Sequence, residues 1–305
     1  MTTDVSIPRS VGTTGAPPVA HVAARRGLPR WVPSWRRALL YLFVLIILFI
    51  SLFPFYWIVR TSLESNAAVA QGVSGLGPID VTISSYVKDF TQQQFLRPLI
   101  NSAIVSLAAT AVTVVFGSLA GYALARLPIR GAGAILGFIL LAGFFPVLAM
   151  VGPLFLLYRH LGFLDSDYPL ILVYLVYTLP IATWLLKNFF AQIPKELEEA
   201  ALVDGATRLQ ALRRVVIPVA VPGVFTAAIL AFILAWNDFL FAVSFLQTPS
   251  KFTAPLAIVN LGQSKFQVFY NRIDAAVVII SIPIAVIVLL AQRRIVSGLT
   301  AGALK

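Results

Sequence analysis

Charge and cysteine are both scarce in this chain. It contains no cysteine, which excludes disulfide bonds, thiolate metal sites and thiol catalysis. Only 11% of its 305 residues are charged, whereas soluble globular proteins carry about 25%. The two histidines, His21 and His160, lie far apart in the sequence, which argues against a histidine metal site. With 59% hydrophobic residues, the composition indicates a membrane protein rather than a soluble enzyme.

Nucleotide-binding signatures are also missing. No segment reads G-x-x-x-x-G-K-[ST], and the glycine-rich residues 131–137 have the wrong spacing for a dinucleotide site. The net charge of +11 would suggest nucleic acid in a soluble protein, but most basic residues here stand between hydrophobic runs. We therefore expect this chain not to be an enzyme, and to bind no cofactor, no metal and no nucleic acid.

Long hydrophobic runs predict an all-α integral membrane protein with six transmembrane helices. The first run has 22 residues without a charge, enough to cross about 30 Å of hydrocarbon. Within the second run, Gly117 and Gly121 form a small-xxx-small pattern that lets helices approach closely. Pro146 and Pro153 break the third run. The predicted spans are about 38–59, 98–125, 131–158, 168–187, 219–245 and 275–292.

A polar segment, Pro194–Pro218, interrupts the hydrophobic sequence between the fourth and fifth spans. It carries four of the twelve acidic residues and four basic ones. Pro194 suits a helix start, and the early glutamates complement the helix dipole. Gly205 permits a sharp turn with positive φ, and Pro218 is expected to end a second helix. The pattern predicts a helix–turn–helix that projects from the membrane, with an ordinary amphipathic surface loop as the alternative.

The basic residues sort to one side of the predicted membrane. The side with both termini, residues 126–130 and the polar segment collects 16 of the 23 basic residues, so the positive-inside rule places it in the cytoplasm. Residues 1–36 have no apolar period and predict a disordered cytoplasmic tail. Residues 37–296 form the six-helix domain, and 297–305 form a cytoplasmic C-terminal tail.

The spacing within the polar segment carries a family resemblance. Glu199-Ala-Ala, followed by Gly205 and then Val215-x-Ile-Pro218, resembles the E-A-A-x3-G-x9-I-x-L-P motif of ABC importer permeases, called the EAA loop. Val215 and Ile217 are mild departures from it. Three further segments are similar to the MalG-like, binding-protein-dependent carbohydrate branch of these permeases: Asn101-Ser102, Ala235–Ala242 and Gly298–Lys305. The resemblance covers roughly residues 36–305.

The resemblance implies a fold, a membrane and a set of partners. The fold would be that of type I ABC importer permeases, with a cytoplasmic EAA loop, in the bacterial cytoplasmic (inner) membrane. The chain would translocate a sugar, a di- or oligosaccharide such as trehalose or maltose, since residues 253–258 also resemble permeases for those sugars. Its partners would be a second homologous permease, two ATPase subunits that hold ATP and Mg, and an extracytoplasmic sugar-binding protein.

The resemblance also assigns roles to residues. Glu199 would pair with a basic residue in a cleft of one ATPase subunit, and two alanines would pack there closely. The implied ATPase-coupling residues are Glu199, Ala200, Ala201, Asp204, Gly205 and Pro218. The tail would reach toward the ATPase interface through Gly298, Leu299, Thr300, Ala301 and Gly302. A frayed terminus is the alternative for the tail.

Asp238 is the one acidic residue inside a predicted span, and intramembrane carboxylates are functional candidates. With Trp236 and Asn237 it could line a sugar pathway, because sugars need hydrogen-bond acceptors and an aromatic face. A second possibility is a proton-coupled secondary transporter that uses Asp238. A third is a carboxylate that is simply hydrogen-bonded to a neighbouring helix.

Overall fold

A computed structural model describes residues 34–70, 81–91, 94–261 and 268–301, and within these ranges the chain forms helices and no β-strand. The predicted all-α class is confirmed. Most of the predicted N-terminal tail, residues 1–33, lies outside the described part, as do residues 302–305.

The helices are α1 (Ser34–Ser62), α2 (Asn66–Ala70), α3 (Ser84–Thr91), α4 (Leu96–Arg126), α5 (Ala132–Gly143), α6 (Val147–His160), α7 (Asp167–Gln192), α8 (Lys195–Val203), α9 (Arg208–Ala211), α10 (Ile217–Val219), α11 (Val221–Trp236), α12 (Leu240–Phe245), α13 (Ala254–Leu261) and α14 (Tyr270–Ala301).

The chain divides into two compact units, residues 1–53 and 54–305. The described part of the first unit is the beginning of α1. Its side chains between Leu39 and Phe53 are apolar apart from Ser51 and the hydroxyl group of Tyr41, and they are exposed on every face of the helix. A helix that is apolar all round is typical of a membrane span.

Four helices of the described part are long and apolar enough to cross a membrane: Trp35–Ser62, Leu96–Arg126, Asp167–Gln192 and Tyr270–Gln292. Two helix pairs qualify only as bent pairs. Ala132–Gly143 and Val147–His160 meet at 81°, and Arg208–Val219 and Val221–Trp236 meet at 85°. By length and composition, the described residues therefore offer four spans, or six if each bent pair counts as one.

The third predicted span is broken by one of its two prolines. The chain leaves the helix between Gly143 and Val147, because Pro146 has no N–H and disfavours helical backbone at the residue before it. Pro153, which we also expected to break the run, lies inside α6.

The fifth predicted span is two helices rather than one. Helix α11 ends at Trp236, and α12 begins at Leu240. Polar side chains bind the backbone at this break. The Asn237 amide donates to the Ile233 carbonyl at 2.8 Å, and the Asp238 carboxylate accepts from the Ala242 N–H at 3.1 Å. These bonds satisfy backbone groups at the end of one helix and the start of the next.

Helices α4 and α7 make the most extensive helix–helix contact of the described part. A Cβ atom added at Gly121 would lie 2.9 Å from the Lys187 backbone nitrogen, and one at Gly117 would lie 3.2 Å from the Ala182 Cβ. Thr113 and Thr178 share a hydrogen bond of 2.7 Å across the same contact. The predicted close approach at the two glycines is confirmed.

We expect Gly121→Ala to destabilise the protein by about 1–3 kcal/mol, because the new methyl group would press on the α7 backbone. Gly137→Ala is the matched control, since a Cβ at Gly137 meets nothing within 4 Å. Both substitutions gain helix propensity. The difference between their melting temperatures in detergent therefore isolates the clash, and equal melting temperatures would contradict the proposed contact.

Candidate functional site

The polar segment, Pro194–Pro218, folds as two short helical pieces joined by a tight turn. Helix α8 begins directly after Pro194 and ends at Val203, with Asp204 as its C-cap. Gly205 follows with φ of +87°, which confirms the predicted turn with positive φ. The Gly205 N–H donates to the Leu202 carbonyl at 3.1 Å and closes the end of α8.

The second helical piece starts at a capping box. The Gln210 N–H donates to the Thr207 hydroxyl at 3.3 Å, and the Thr207 N–H donates to the Gln210 side-chain oxygen at 2.8 Å. Helix α9 then passes into a π-helical segment, Leu212–Val216, and into α10. The helix–turn–helix predicted from the sequence is therefore present, with a widened turn in its second half.

Pro218 does not end this second piece as expected. The backbone stays helical through Val219, and the break falls at Ala220, where the chain bends into α11. The Ile217 N–H reaches the Leu212 carbonyl five residues back, so the turn before Pro218 is wider than in an α-helix. This widening accommodates the proline ring without the clash that usually terminates a helix.

Two adjacent glutamates of α8 have opposite environments. Glu199 is exposed, whereas Glu198 is only 5% exposed. The Tyr122 hydroxyl donates to Oε1 of Glu198, and Nε of Arg126 lies 3.5 Å from its Oε2. Arg126 also donates to the Ile193 carbonyl. Sequence reasoning missed Glu198, because no local pattern links it to residues of α4 that lie more than 70 positions earlier.

The base of the polar segment is apolar and belongs to the protein core. Leu212 and Val216 are fully buried beside Tyr122 of α4. The same cluster contains α7 residues, Ala182, Leu185, Leu186 and Phe190. The second half of the polar segment is therefore fixed to the membrane helices by hydrophobic packing.

The other side of the polar segment faces outward. Ala200 and Asp204 are exposed, Ala201 is half-buried, and Val203 at the end of α8 is 87% exposed. A groove of about 300 Å³ runs between the two helical pieces, lined by Ala201, Asp204, Gly205, Ala206, Gln210, Ala211, Arg214 and Val215. Three predicted coupling residues thus share one groove, with Glu199 and Ala200 nearby on α8, whereas Pro218 does not line it.

The break after α11 holds the three predicted pathway residues, but they do not share one surface. Trp236 is 4% exposed, stacks on Phe232 at 5.3 Å and donates to the Ile280 carbonyl of α14 at 3.2 Å. Asn237 is exposed. Asp238 accepts a hydrogen bond of 2.9 Å from the Tyr174 hydroxyl of α7. In this conformation the Asp238 carboxylate is therefore hydrogen-bonded to a neighbouring helix.

The backbone at the C-terminus is helical past the predicted start of the tail. Helix α14 continues through Ala301 and includes Gly298, the weakest helix former between Gln292 and that point. Gly298, Leu299, Thr300 and Ala301 are therefore helical in backbone. Their side chains, and all of Gly302, lie outside the described residues.

Asp165, in the loop between α6 and α7, is a second residue that sequence reasoning missed. It has a positive φ of 59° and accepts hydrogen bonds from the Gln247 N–H at 3.0 Å, the Thr248 N–H at 2.9 Å and the Thr248 hydroxyl at 2.6 Å. Nζ of Lys251 lies 3.2 Å from Oδ2 of Asp165. Burial alone would raise the pKa of Asp165, but these donors outweigh it and hold the pKa well below its usual range.

No metal site is evident in the part of the chain that the structure describes, where no three histidines or carboxylates are grouped to hold an ion. The geometry instead offers a surface for contact with another molecule: an exposed groove on the polar segment, whose base packs against the membrane helices. That arrangement suits docking to another protein.

A protein-family comparison decides the class. The family described as "Binding-protein-dependent transport system inner membrane component" matches residues 113–300. The chain belongs to this family. The polar segment lies inside the matched region. The protein is therefore an inner-membrane permease component of an ABC importer rather than an enzyme, and the alternative of a proton-coupled secondary transporter is not supported.

Individual relatives agree with this family. The permease is 45% identical over 256 residues to the trehalose transport system permease protein SugB of Mycobacterium tuberculosis, covering 84% of this chain and 93% of the relative. It is 43% identical over 260 residues to the sulfoquinovosyl glycerol transport system permease protein SmoH of Agrobacterium fabrum, covering 85% and 91%.

A solved structure shares the fold. A chain of a bacterial ABC transporter involved in the import of the acidic polysaccharide alginate superposes with a TM-score of 0.72 at 27% identity. The match covers 87% of this chain and 99% of that one. The predicted fold of ABC importer permeases is therefore confirmed.

We expect Asp165→Asn to lower the stability of the permease at pH 7 by about 1 kcal/mol, because the neutral amide loses the ion pair and accepts weaker hydrogen bonds. The folded-state pKa lies below the unfolded value of about 4, so the stabilisation is present above that value and is lost as the pH falls toward the folded pKa. The melting-temperature gap to wild type should stay constant from pH 8 to 5.5 and shrink below about pH 4.

Lys251→Met is the control for this prediction. It removes a partly exposed ion pair and the hydrogen bond from the Lys251 ammonium to the Asp165 carbonyl, but keeps the three hydrogen bonds to the Asp165 carboxylate, so its effect should be smaller. A gap for Asp165→Asn that widens on acidification would contradict the assigned pKa direction.

Proposed function

We propose that this permease moves a sugar, a di- or oligosaccharide such as trehalose or maltose, into the cytoplasm. Two relatives support the class: SugB, named for trehalose, and the trehalose/maltose permease MalG of Thermococcus litoralis, which is 36% identical over 272 residues. SmoH, named for sulfoquinovosyl glycerol, widens the range to other molecules with a sugar unit. What these names share is a glycoside, which supports the substrate class more firmly than any single sugar.

The division of the polar segment into a buried base and an exposed top carries the coupling proposal. We propose that this segment is the EAA loop and docks in a cleft of a separate ATPase subunit. Exposed Glu199 would pair with a basic residue there, because a charge-assisted pair gives both strength and orientation. Small Ala200 and Ala201 would let the partner approach the backbone, and Gly205 would keep the turn compact beside Asp204.

The remaining partners follow from an importer of this kind. The family description itself names dependence on a binding protein, which would deliver sugar from outside the membrane. We propose one second, homologous permease subunit and two ATPase subunits, which would hold ATP and Mg. ATP binding would close the ATPase pair, and the polar segment would move with it as a rigid body, switching the spans from inward-facing to outward-facing.

The proposed orientation places both termini and the polar segment in the cytoplasm. It is supported by the basic residues, of which 16 of 23 fall on that side. In this orientation the C-terminal end of α14, with Gly298–Ala301, would approach the ATPase subunits. The remaining tail residues, Gly302–Lys305, would follow it.

The sugar pathway would pass the break after α11. Asn237 is the proposed pathway residue that this conformation exposes. Trp236 and Asp238 would reach the pathway only after their bonds to Ile280 and Tyr174 open.

We expect Glu199→Arg combined with Gly205→Val to reduce ATP-dependent sugar uptake about tenfold or more, because the variant reverses the pairing charge and strains a turn that needs positive φ. The measurement is uptake of labelled trehalose or maltose by proteoliposomes that contain the permease, its partner permease, the ATPases and the binding protein. Co-purification of the ATPases should fall in parallel.

Glu196→Gln is the matched control, since it changes another exposed glutamate of the same helix. It should leave uptake and co-purification near wild type. Survival of both uptake and ATPase co-purification in the double variant would show that the polar segment is not the coupling element.

A further inference from the structure

Helix α8 has an unusual attachment to the rest of the protein. It carries exposed Glu199, yet among its nine residues it buries only Glu198. The helical pieces that follow are held by buried Leu212 and Val216, which are apolar. The buried side chain that fixes α8 is therefore a carboxylate rather than a hydrophobic group.

The partners of this carboxylate come from the end of α4. Tyr122 and Arg126 are four residues apart, which places them on the same helix face. The tyrosine hydroxyl donates to one carboxylate oxygen of Glu198, and Nε of Arg126 lies 3.5 Å from the other. Arg126 also donates to the carbonyl of Ile193, directly before Pro194 and α8. Helix α4 is thus linked both to α8 and to the chain that enters it.

Burial makes it costly to separate Glu198 from Arg126. The side chains of Arg126 and Glu198 are only 3% and 7% exposed. A buried ion loses far more when its partner leaves than an exposed one does, so neither group can move away alone. The start of α8 is held at buried Ile193, which also accepts from Arg126, whereas its far end is open: a Cβ added at Gly205, with φ of +87°, would meet nothing within 4 Å.

We propose that Glu198 is a positioning residue that joins α8 rigidly to α4, so that a displacement of the Glu199 face is passed to the membrane helices. The inference rests on the coupling role proposed above for the polar segment. The two neighbouring glutamates then have different roles: Glu199 contacts the ATPase, and Glu198 contacts the permease's own α4. Without the anchor, α8 would turn about its start at Ile193 while remaining docked.

The test compares Glu198→Gln with wild type in the complete reconstituted importer. The glutamine keeps an oxygen that accepts from Tyr122 but loses the charge that pairs with Arg126. We expect the ATPases to co-purify as in wild type, because Glu199 is unchanged. The number of sugars taken up per ATP hydrolysed should fall about tenfold, the ratio expected when one charge-assisted contact is lost.

A local readout separates positioning from general stability. Because the chain has no cysteine, a spin label can be placed at Val203→Cys, the exposed end of α8. Its mobility, recorded in the full-length permease before the ATPases are added, should increase in the Glu198→Gln background and stay unchanged with Glu196→Gln. A purely structural role would lower the yield of folded complex while leaving the uptake-to-ATP ratio and the label mobility unchanged, and that result would overturn the proposal.

Tyr122→Phe keeps the test decisive if Glu198→Gln does not fold. It removes one hydroxyl and leaves the ring and the ion pair in place, so the uptake-to-ATP ratio should fall about threefold. An unchanged ratio would overturn the proposal. Failure of the coupling function itself looks different, because wild type would then show no ATP-driven uptake and no bound ATPases.

Discussion

The close contact between α4 and α7 forms the support on which α5, α11, α12 and α13 pack. The two helices approach so closely at Gly121 that an added methyl carbon would lie 2.9 Å from the α7 backbone. This approach brings the end of α4, with Tyr122 and Arg126, beside Ile193, just after the end of α7. The polar segment leaves α7 at that point, so the helix contact determines where its base packs and where Glu198 is held.

Interhelical hydrogen bonds add to the close packing that small residues allow. Within a membrane, apolar side chains gain little by leaving lipid, so close packing and interhelical hydrogen bonds hold helices together. Here the threonine pair Thr113 and Thr178 links α4 to α7, and Trp236 links α11 to α14. Near the start of α14, Arg272 pairs with buried Asp89 of α3 at 3.0 Å. Burial raises the pKa of Asp89 although the Arg272 partner lowers it, so this pair depends on its geometry.

The sequence predicts the helical class, the hydrophobic runs, the glycine contact and the turn at Gly205, because each depends on composition or on local backbone preference. It does not predict which prolines break a helix. Pro146 separates α5 from α6, whereas Pro153 lies inside α6. Pro218 follows a π-helical segment whose wider turn accommodates the proline ring. The difference lies in which backbone carbonyls find other partners, and that depends on the surrounding structure.

The candidate site shows the same limit. The motif identifies Glu199, but it gives no reason to distinguish Glu198, which is the next residue of α8 and is buried where Glu199 is exposed. Burial of Glu198 depends on residues of α4 that only the folded chain brings near. Asp165 is similar, because its donors come from a loop about 80 residues later.

The central claim is that the exposed top of the polar segment faces the cytoplasm and is covered by the ATPases. Val203→Cys in this cysteine-free chain tests it with a membrane-impermeant maleimide, applied to right-side-out and inside-out vesicles. The account predicts labelling in inside-out vesicles only, and protection from labelling when the ATPase subunits are bound. Labelling from the outer side, or labelling that bound ATPases do not reduce, would contradict it.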